Sequence, residues 1–469
     1  MKNKINYTDK EWDDIKNNGA YCPALFNSLY LSPQSQITNC CVMQEHDMDS
    51  APVVTSDQKD IPVVDLLNQD YFRNVRKDAL NGIKNEACNH CWRSQKHTPE
   101  KEYRQTFIKF SKNLDEQIRN SVYEDYTIDF NVVEMEHMDV RFSTLCNLLC
   151  RSCSSVFSSS WYKEDLEYDK ITRSHEKNTK WKHGLAFKPG AASLSVESII
   201  PHLDTVKRLY FAGGEPVMLT EHYEILQYLI DTGRTDVKLS YNTNFSKLIS
   251  GKKDIIPYWK QFKNITIGAS LDGSHEKGEY IRKGIVWSEV EENIQRLKKE
   301  CPHIYFYVSP TVSILNAYNI TEFHREWYEK GYIKINDFRL NVLYGPEAYC
   351  LANLPRNHKD ALIKLYTEHI EWIFKTSPET KLMNSTSHDI MTVSDYNRLI
   401  KFIDETPASP DWKDSWFKHF WTDKNRKENF FEILPEYEDL KPMLIDNLKD
   451  KHFDISKEIL IEVKNIYES

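Results

Sequence analysis

The chain has 469 residues, enough to bury a core larger than that of one small domain. Its 40% hydrophobic and 28% charged residues are an ordinary composition for a soluble protein. The 61 basic and 70 acidic residues leave a net charge of −9, which argues against a nucleic-acid coat. No apolar run is long enough to span a bilayer, and the polar start resembles no signal peptide, so we expect a cytoplasmic protein without membrane contact.

The ten cysteines are unevenly distributed. A cytoplasmic chain keeps cysteines reduced, so disulfides explain them poorly, whereas clustering favours metal or redox chemistry. The first cluster contains Cys22, Cys40, Cys41, Cys88 and Cys91. The second contains Cys146, Cys150 and Cys153. Cys301 and Cys350 lie outside both clusters and are expected to be small buried hydrophobic side chains.

The first cluster lies in a cysteine-rich region over residues 21–120, after a polar lead-in over residues 1–20. Residues 37–42 have the composition of a strand. Residues 65–83 have helical spacing, with Gly82 as a stop signal. The polar stretch over residues 96–120 is a helix or a linker, and we place a domain boundary there.

From residue 134 to residue 345, strand patterns alternate with helix patterns. Strands are predicted at residues 138–142, 208–212, 237–241, 265–271, 304–308 and 338–343. Helices are predicted between them, for example at residues 222–232, 286–300 and 320–330. This alternation predicts an α/β fold with a parallel sheet, either open or partly closed as a barrel.

Two further regions flank or interrupt this pattern. The hydrophilic connection over residues 162–203, with a turn signal at residues 188–190, predicts an insertion over one face. Residues 346–469 predict a helical region whose aromatic residues pack between helices rather than form a binding platform.

Cys146, Cys150 and Cys153 follow the first strand of the alternating region with the spacing C-x-x-x-C-x-x-C. Ligands of parallel α/β folds bind at the carboxyl ends of strands, so a site is expected there. Zinc or a 4Fe–4S cube takes four protein ligands, and three thiolates therefore leave one position open for a small molecule. The alternative is a zinc site completed by a distant residue.

Other predicted strands also end in residues suited to ligand binding. Gly213, Gly214 and Glu215 allow close backbone approach and can accept hydrogen bonds from an ammonium group, or they form an ordinary turn before a helix. Asn242 and Ser270 can bond hydroxyl groups or simply cap a turn. Arg282 either pairs with a carboxylate or is a solvated surface residue.

The cysteine triplet, the Gly-Gly-Glu strand end and the Ser-Leu-Asp-Gly strand end at residues 270–273 together resemble the radical S-adenosylmethionine superfamily. The resemblance implies a partial (β/α)6 parallel barrel that holds a 4Fe–4S cluster on the triplet. The open iron would bind S-adenosylmethionine, and reduction would release methionine and a 5′-deoxyadenosyl radical that abstracts a substrate hydrogen. An electron donor such as flavodoxin or ferredoxin is implied as a partner.

The same resemblance assigns the polar residues at the strand ends. It places Gly213, Gly214 and Glu215 at the methionine amine of S-adenosylmethionine. It makes Asn242 and Ser270 ribose or carboxylate contacts, and Arg282 is a further candidate for cofactor binding. Many members of the superfamily have an aromatic residue where this chain has Ser152, so its adenine contacts must come from elsewhere.

The N-terminal cysteines resemble the twitch and SPASM auxiliary-cluster modules, although such modules usually follow the barrel. The resemblance implies a second, fully ligated 4Fe–4S cluster on Cys22, Cys40 or Cys41, Cys88 and Cys91. Zinc is the alternative occupant.

The leading hypothesis is therefore a radical enzyme of oxidoreductase or peptide-modifying type that acts on a peptide or protein. The alternatives are oxidation of a small molecule such as an amino sugar, and a non-catalytic zinc-binding scaffold. Cys350 is a candidate hydrogen-atom donor, and its alternative is a buried thiol.

Overall fold

A computed structural model of the chain describes residues 2–43, 52–55, 58–97, 103–172, 194–376, 390–450 and 457–468. The chain forms two compact units. The first unit comprises Met1–Leu145, Pro189–Asn242 and Asp254–Ile265. The second unit comprises Cys146–Lys188, Thr243–Lys253 and Thr266–Ser469. The domain limits expected from the sequence stay predictions.

The strands of the described residues are short. They are β1 Ser28–Leu31, β2 Ile37–Thr38, β3 His137–Val140, β4 Leu149–Cys150, β5 Arg208–Phe211, β6 Lys238–Thr243, β7 Ile249–Ser250, β8 Lys253–Asp254, β9 Ile265–Ala269, β10 Arg282–Lys283, β11 Tyr305–Val308, β12 Thr311–Val312 and β13 Asn341–Val342.

Helices make up most of the remaining regular structure. The α-helices of the described residues are Asp9–Asn17, Ala24–Asn27, Val63–Leu66, Asp70–Leu80, Asn89–His97, Tyr103–Phe110, Asp115–Ser121, Tyr162–Thr172, Ile200–Leu203, Thr220–Asp231, Ile256–Trp259, His275–Ile281, Trp287–Glu300, Ile320–Glu329, Arg356–Thr376, Met391–Glu405, Trp416–Arg426, Phe430–Ile433, Lys441–Asp450 and Lys457–Glu468. The 3₁₀ helices are Glu86–Cys88, Lys112–Leu114, Ser159–Trp161, Val196–Ser198, Pro216–Met218, Glu347–Tyr349, Leu351–Asn353, Trp412–Ser415 and Pro435–Leu440. No helix of the described residues has both the length and the apolar character needed to cross a bilayer.

The sheet of the first unit has the strand order β6-β5-β3-β1-β2. Strands β1, β3, β5 and β6 are parallel, and β2 returns antiparallel to β1. The register aligns Tyr30, Asp139, Tyr210 and Ser240 in one row across a single face. The predicted parallel sheet is thus confirmed, and the cysteine-rich region contributes β1 and β2 to it.

The second unit contains further parallel pairs, β9 with β11 and β12 with β13. Helix Trp287–Glu300 buries Trp287, Val290, Ile294 and Leu297, the spacing of one apolar helix face. The C-terminal residues of this unit are helical, as predicted. Their aromatic residues are buried, which confirms the predicted packing role; these are Trp412, Trp416, Phe417, Phe420 and Trp421.

Three predicted elements differ in length from those observed. The strand predicted over residues 37–42 stops at Thr38. The helix predicted over residues 65–83 is divided into Val63–Leu66 and Asp70–Leu80, because the Asn68 side chain bonds both the N–H and the carbonyl of Ile128 instead of continuing the helix. The strand predicted over residues 338–343 retains only Asn341–Val342, since Asp395 accepts the Leu340 N–H.

The predicted insertion is described only in part. It begins as helix Tyr162–Thr172, and residues 173–193, which include the predicted turn at 188–190, lie outside the described residues. The partial closure of the sheet into a barrel stays a prediction.

Candidate functional site

The cysteine loop, which we define as residues 146–153, belongs to the second unit. Its carbonyl oxygens are held by donors from the segment that follows it. Ser160 Oγ donates to Cys146 O at 2.6 Å, Ser158 Oγ donates to Leu148 O at 2.8 Å, and Trp161 Nε1 donates to Cys150 O at 3.0 Å. The backbone of the loop is therefore shaped by protein contacts.

The three thiols of the loop influence one another electrostatically. Burial raises the pKa of Cys150 to about 11, with Arg282 opposing the rise and Cys146 adding to it. Burial also raises the pKa of Cys153, and the neighbouring Cys150 and Cys146 raise it further. Buried thiols in such a group become thiolates only when a positive charge compensates them, and a metal centre supplies that charge.

Two side chains direct N–H groups at the sulfur atoms. Arg282 Nη1 lies 3.6 Å from Cys150 Sγ, and Asn244 Nδ2 lies 3.8 Å from Cys146 Sγ. Asn244 is held in turn by Asn147, whose Oδ1 accepts from Nδ2 at 3.0 Å. The donor set suits anionic sulfur, since hydrogen bonds to the sulfurs tune metal–thiolate centres.

Arg282 is not a solvated surface residue, because its side chain is only 12% exposed. Strand pairing of β10 with β4 places it opposite Cys150. Its Nε lies 2.8 Å from Asp272 Oδ2, an ion pair outside hydrogen-bond alignment, and Asp272 Oδ1 accepts the Thr311 N–H. The carboxylate that Arg282 meets within the protein is therefore Asp272.

The Gly-Gly-Glu turn lies in the first unit and packs on the segment that precedes the cysteine loop in sequence. Gly214 N donates to Ser143 O at 3.1 Å, and Glu215 N donates to Leu145 O at 2.7 Å. A Cβ atom on Gly214 would lie 2.1 Å from Leu145 O, and Gly213 has a φ of +102°. Both glycines are therefore required by contacts within the chain itself.

The Glu215 carboxylate is fully buried at the start of helix Pro216–Met218. It accepts the Val217 N–H at 3.3 Å and so caps this short helix. The turn before a helix, which the sequence analysis gave as the alternative, is thus present, and the contact of Glu215 with an ammonium group stays a prediction.

Asn242 and Ser270 are both half-buried, at or just beyond the ends of their strands. Asn242 lies in β6 of the first unit. Ser270 follows β9 in the second unit, where its N–H donates to Thr243 O at 2.8 Å. Cys350 is 8% exposed and burial raises its pKa, which matches the buried-thiol interpretation.

Four cysteines of the first unit line one small cavity. Cys22, Cys40, Cys88 and Cys91 share its wall with Trp92, Tyr103 and Arg104. Burial raises the pKa of Cys88 to about 12 and raises the pKa values of Cys22 and Cys40 as well, with the neighbouring thiols adding to each shift.

Cys41 does not line this cavity; its thiol donates to Tyr103 Oη at 3.6 Å. The sequence left Cys40 and Cys41 as equal candidates, and this geometry favours Cys40 as the fourth member of the group.

Within the described ranges, no group of three or more His, Cys, Asp or Glu residues is arranged to hold one metal ion. A zinc ion needs its ligands to converge, with sulfur atoms about 2.3 Å from a single point. A 4Fe–4S cube distributes its cysteines over separate irons, so its thiols need not converge.

Comparisons with protein-family models and with curated proteins found no match. Three of the solved structures that are similar in part are named here. They are hexahistidine-tagged anSMEcpe with bound AdoMet (TM-score 0.35, 20% identity, 50% of this chain and 59% of that chain), native anSMEcpe with AdoMet and Cp18Cys peptide (0.35, 18%, 58% and 66%), and TYW1 with a lysine-pyruvate adduct (0.26, 15%, 50% and 70%).

This chain thus spans 59% of the length of the first of these structures. Likeness at these values establishes no family membership.

Several residues of the site were missed by sequence reasoning. Asn244 stands two positions after Asn242 in the same strand end, and Arg151 lies inside the triplet itself. The supporting hydroxyl groups come from a serine-rich stretch at residues 154–160. That stretch, directly after a cysteine triplet, was the available signal.

Proposed function

We propose that this protein is a radical S-adenosylmethionine enzyme whose 4Fe–4S cluster is bound by Cys146, Cys150 and Cys153. One observation carries the proposal. Three mutually interacting thiols, of which that of Cys150 is buried, lie in one braced loop. N–H groups of Arg282 and Asn244 lie 3.6 and 3.8 Å from two of the sulfurs.

The residues of the cysteine loop suit a 4Fe–4S cluster. When bound, the cluster and S-adenosylmethionine supply a one-electron reductive cleavage that generates a hydrogen-abstracting radical. Arg282 offsets the negative charge of the thiolates, and Asn244 fixes the orientation of Cys146. The serine and tryptophan donors hold the backbone while iron is bound.

The contacts of S-adenosylmethionine are proposed from the strand ends. The methionine amine is assigned to the Gly213–Glu215 turn, and Asn242 and Ser270 are assigned to ribose or carboxylate oxygens. The half-buried position of Asn242 and Ser270 at strand ends supports this assignment, since ligands of parallel sheets bind at that edge.

A second 4Fe–4S cluster is proposed on Cys22, Cys40, Cys88 and Cys91. Their common cavity and mutually raised pKa values support it, and four thiolates leave no iron open. A closed cluster of this kind serves electron transfer, either as an acceptor from a substrate radical or as a conduit.

A peptide or protein is proposed as the substrate. The second unit has an open cavity of about 1050 Å³ with charged walls, which leaves room for a segment of polypeptide. Lys283, which directly follows Arg282, and Glu428 are among its lining residues. Mass spectrometry of what the Cys150→Ala variant retains from extracts, against wild type, would separate polypeptides from small molecules.

The test of the proposed function is electron paramagnetic resonance of the anaerobically reconstituted, dithionite-reduced protein. We expect a 4Fe–4S signal that changes when S-adenosylmethionine is added, because one iron is open to it. Cys150→Ala should lose the signal that responds to S-adenosylmethionine and keep that of the second cluster, whereas Cys301→Ala, which alters a buried thiol outside both clusters, should keep both. A colourless protein that binds zinc would overturn the proposal.

A further inference from the structure

Arg151 lies between Cys150 and Cys153, and its side chain is fully buried. Its Nη2 pairs with Asp423 and lies 2.6 Å from Glu428 Oε2, while Nε donates to Tyr280 O at 3.2 Å. The Arg151 N–H donates to Ile281 O at 2.8 Å. An arginine inside the cysteine loop is thus anchored at four points, two of them carboxylates from the C-terminal helical region.

Asp423 is equally buried and receives several donors. Tyr467 Oη donates to it at 2.6 Å, the Phe430 N–H at 2.8 Å, and Tyr280 Oη at 3.1 Å. Burial alone would raise the pKa of Asp423, but His419, Arg151 and Tyr467 outweigh it and lower the pKa below its usual value. Asp423 therefore presents a fixed negative charge to Arg151.

Asp423 lies in the C-terminal helix Trp416–Arg426. Two more residues of this helix bond to residues in or near the cysteine loop. Arg426 Nη1 donates to Leu149 O at 3.0 Å, and its other nitrogens bind the Glu164 carboxylate at 2.9 and 3.2 Å. Lys418 Nζ donates to Asp165 Oδ1 at 2.9 Å, and Asp165 accepts the Ser155 N–H at 2.7 Å. At about 100° per residue, Arg426 lies between Lys418 and Asp423 around the helix, and the three residues together span an arc of about 140°.

We propose that helix Trp416–Arg426 positions the cysteine loop, with Asp423 and Arg426 as the positioning residues that hold Arg151 and Leu149. The inference rests on the proposed function for the cluster that the loop binds. It assigns the C-terminal helix to the cluster-binding apparatus, although more than 260 residues separate Leu149 from Arg426 in sequence.

The test compares Arg426→Lys and Tyr467→Phe with the matched control Arg234→Lys. Lysine keeps the charge of Arg426 but cannot bind Glu164 and Leu149 O together. Tyr467→Phe removes one hydrogen bond to Asp423 and preserves the packing. Arg234 also donates to backbone carbonyls, those of Leu203 and Val206, but lies in the first unit.

The first readout is alkylation of the iron-free protein by iodoacetamide, resolved for each cysteine by mass spectrometry. We expect Cys146, Cys150 and Cys153 to react several-fold faster in both test variants, with Cys301 unchanged and the control equal to wild type. An equal rise at Cys301 would indicate general unfolding and overturn the inference, as would unchanged loop cysteines.

The second readout is the electron paramagnetic resonance spectrum of the reconstituted cluster. We expect this spectrum to shift in both test variants and to stay unchanged in Arg234→Lys. Unchanged spectra in the test variants would also overturn the inference. If wild-type protein binds no iron, the proposed function fails, and the alkylation pattern still decides whether the helix positions the loop.

Discussion

Gly214 has no room for a side chain. A Cβ atom would lie 2.1 Å from Leu145 O and 2.6 Å from the Thr144 carbonyl carbon, and neither backbone atom can move alone. The paired glycines of the strand end therefore fix the segment before the cysteine loop, whatever else they contact.

We predict that Gly214→Ala lowers the free energy of unfolding by about 3 kcal/mol, the upper range for overpacking a filled site. Gly233→Ala is the control, because Gly233 has a φ of +72° but nothing within 4 Å of the added Cβ. It should cost only the ~1–2 kcal/mol of a left-handed residue. Urea unfolding measures both, and equal losses would contradict the steric argument.

At the scale of elements, local patterns were readable from the sequence. The cysteine triplet spans eight positions of one loop, and its spacing, position after a strand and chemistry all follow from adjacent residues. The main helices and parallel strands were likewise predicted by periodicity. Their ends were not, because side chains such as Asn68 and Asp395 end them through partners elsewhere in the chain.

Long-range support of the site was also beyond sequence reasoning. Nothing in the sequence near Arg426 indicates that it holds Leu149 O, since that contact exists only after the second unit folds. The sequence could not decide between Cys40 and Cys41 for the same reason. Consecutive residues point to different surroundings, and only the turn after β2 decides which thiol enters the cavity.

The adjacent cysteines Cys40 and Cys41 give a prediction in which each variant is the control for the other. Cys40→Ser should lose the second cluster, about four irons per chain, because Cys40 lines the cavity with three other thiols. Cys41→Ser should retain it, since the Cys41 thiol contacts Tyr103 instead. Iron and sulfide analysis after anaerobic reconstitution measures the difference. Loss of iron in Cys41→Ser with full content in Cys40→Ser would reverse the assignment.

At the scale of the whole molecule, both units bury neutral histidines. Burial lowers the pKa of His137 in the first unit to about 4, and of His324 and His419 in the second to about 3. The unfolded chain binds these protons near pH 6.5. Their contribution to stability is therefore complete above pH 6.5 and is lost as the pH falls toward 4.

We expect the contribution of each of these histidines to the decline in the free energy of unfolding to steepen below pH 6.5 toward a limit of about 1.4 kcal/mol per pH unit. Urea unfolding at pH 7, 6 and 5 measures the slope. His137→Phe should reduce the slope of the free energy of unfolding against pH by the contribution of one histidine. The replacement breaks no hydrogen bond at His137 Nδ1, which makes none within the described part of the chain. An unchanged slope would contradict the buried, neutral state of His137.

The central claim is that the cysteine loop carries a cluster with an open position for S-adenosylmethionine. Its most direct test is chromatographic measurement of 5′-deoxyadenosine after the reconstituted protein is incubated with S-adenosylmethionine and dithionite. The account predicts that wild type and Cys301→Ala form 5′-deoxyadenosine and that Cys150→Ala forms none above background. Equal formation by wild type and Cys150→Ala at full reconstitution would contradict it.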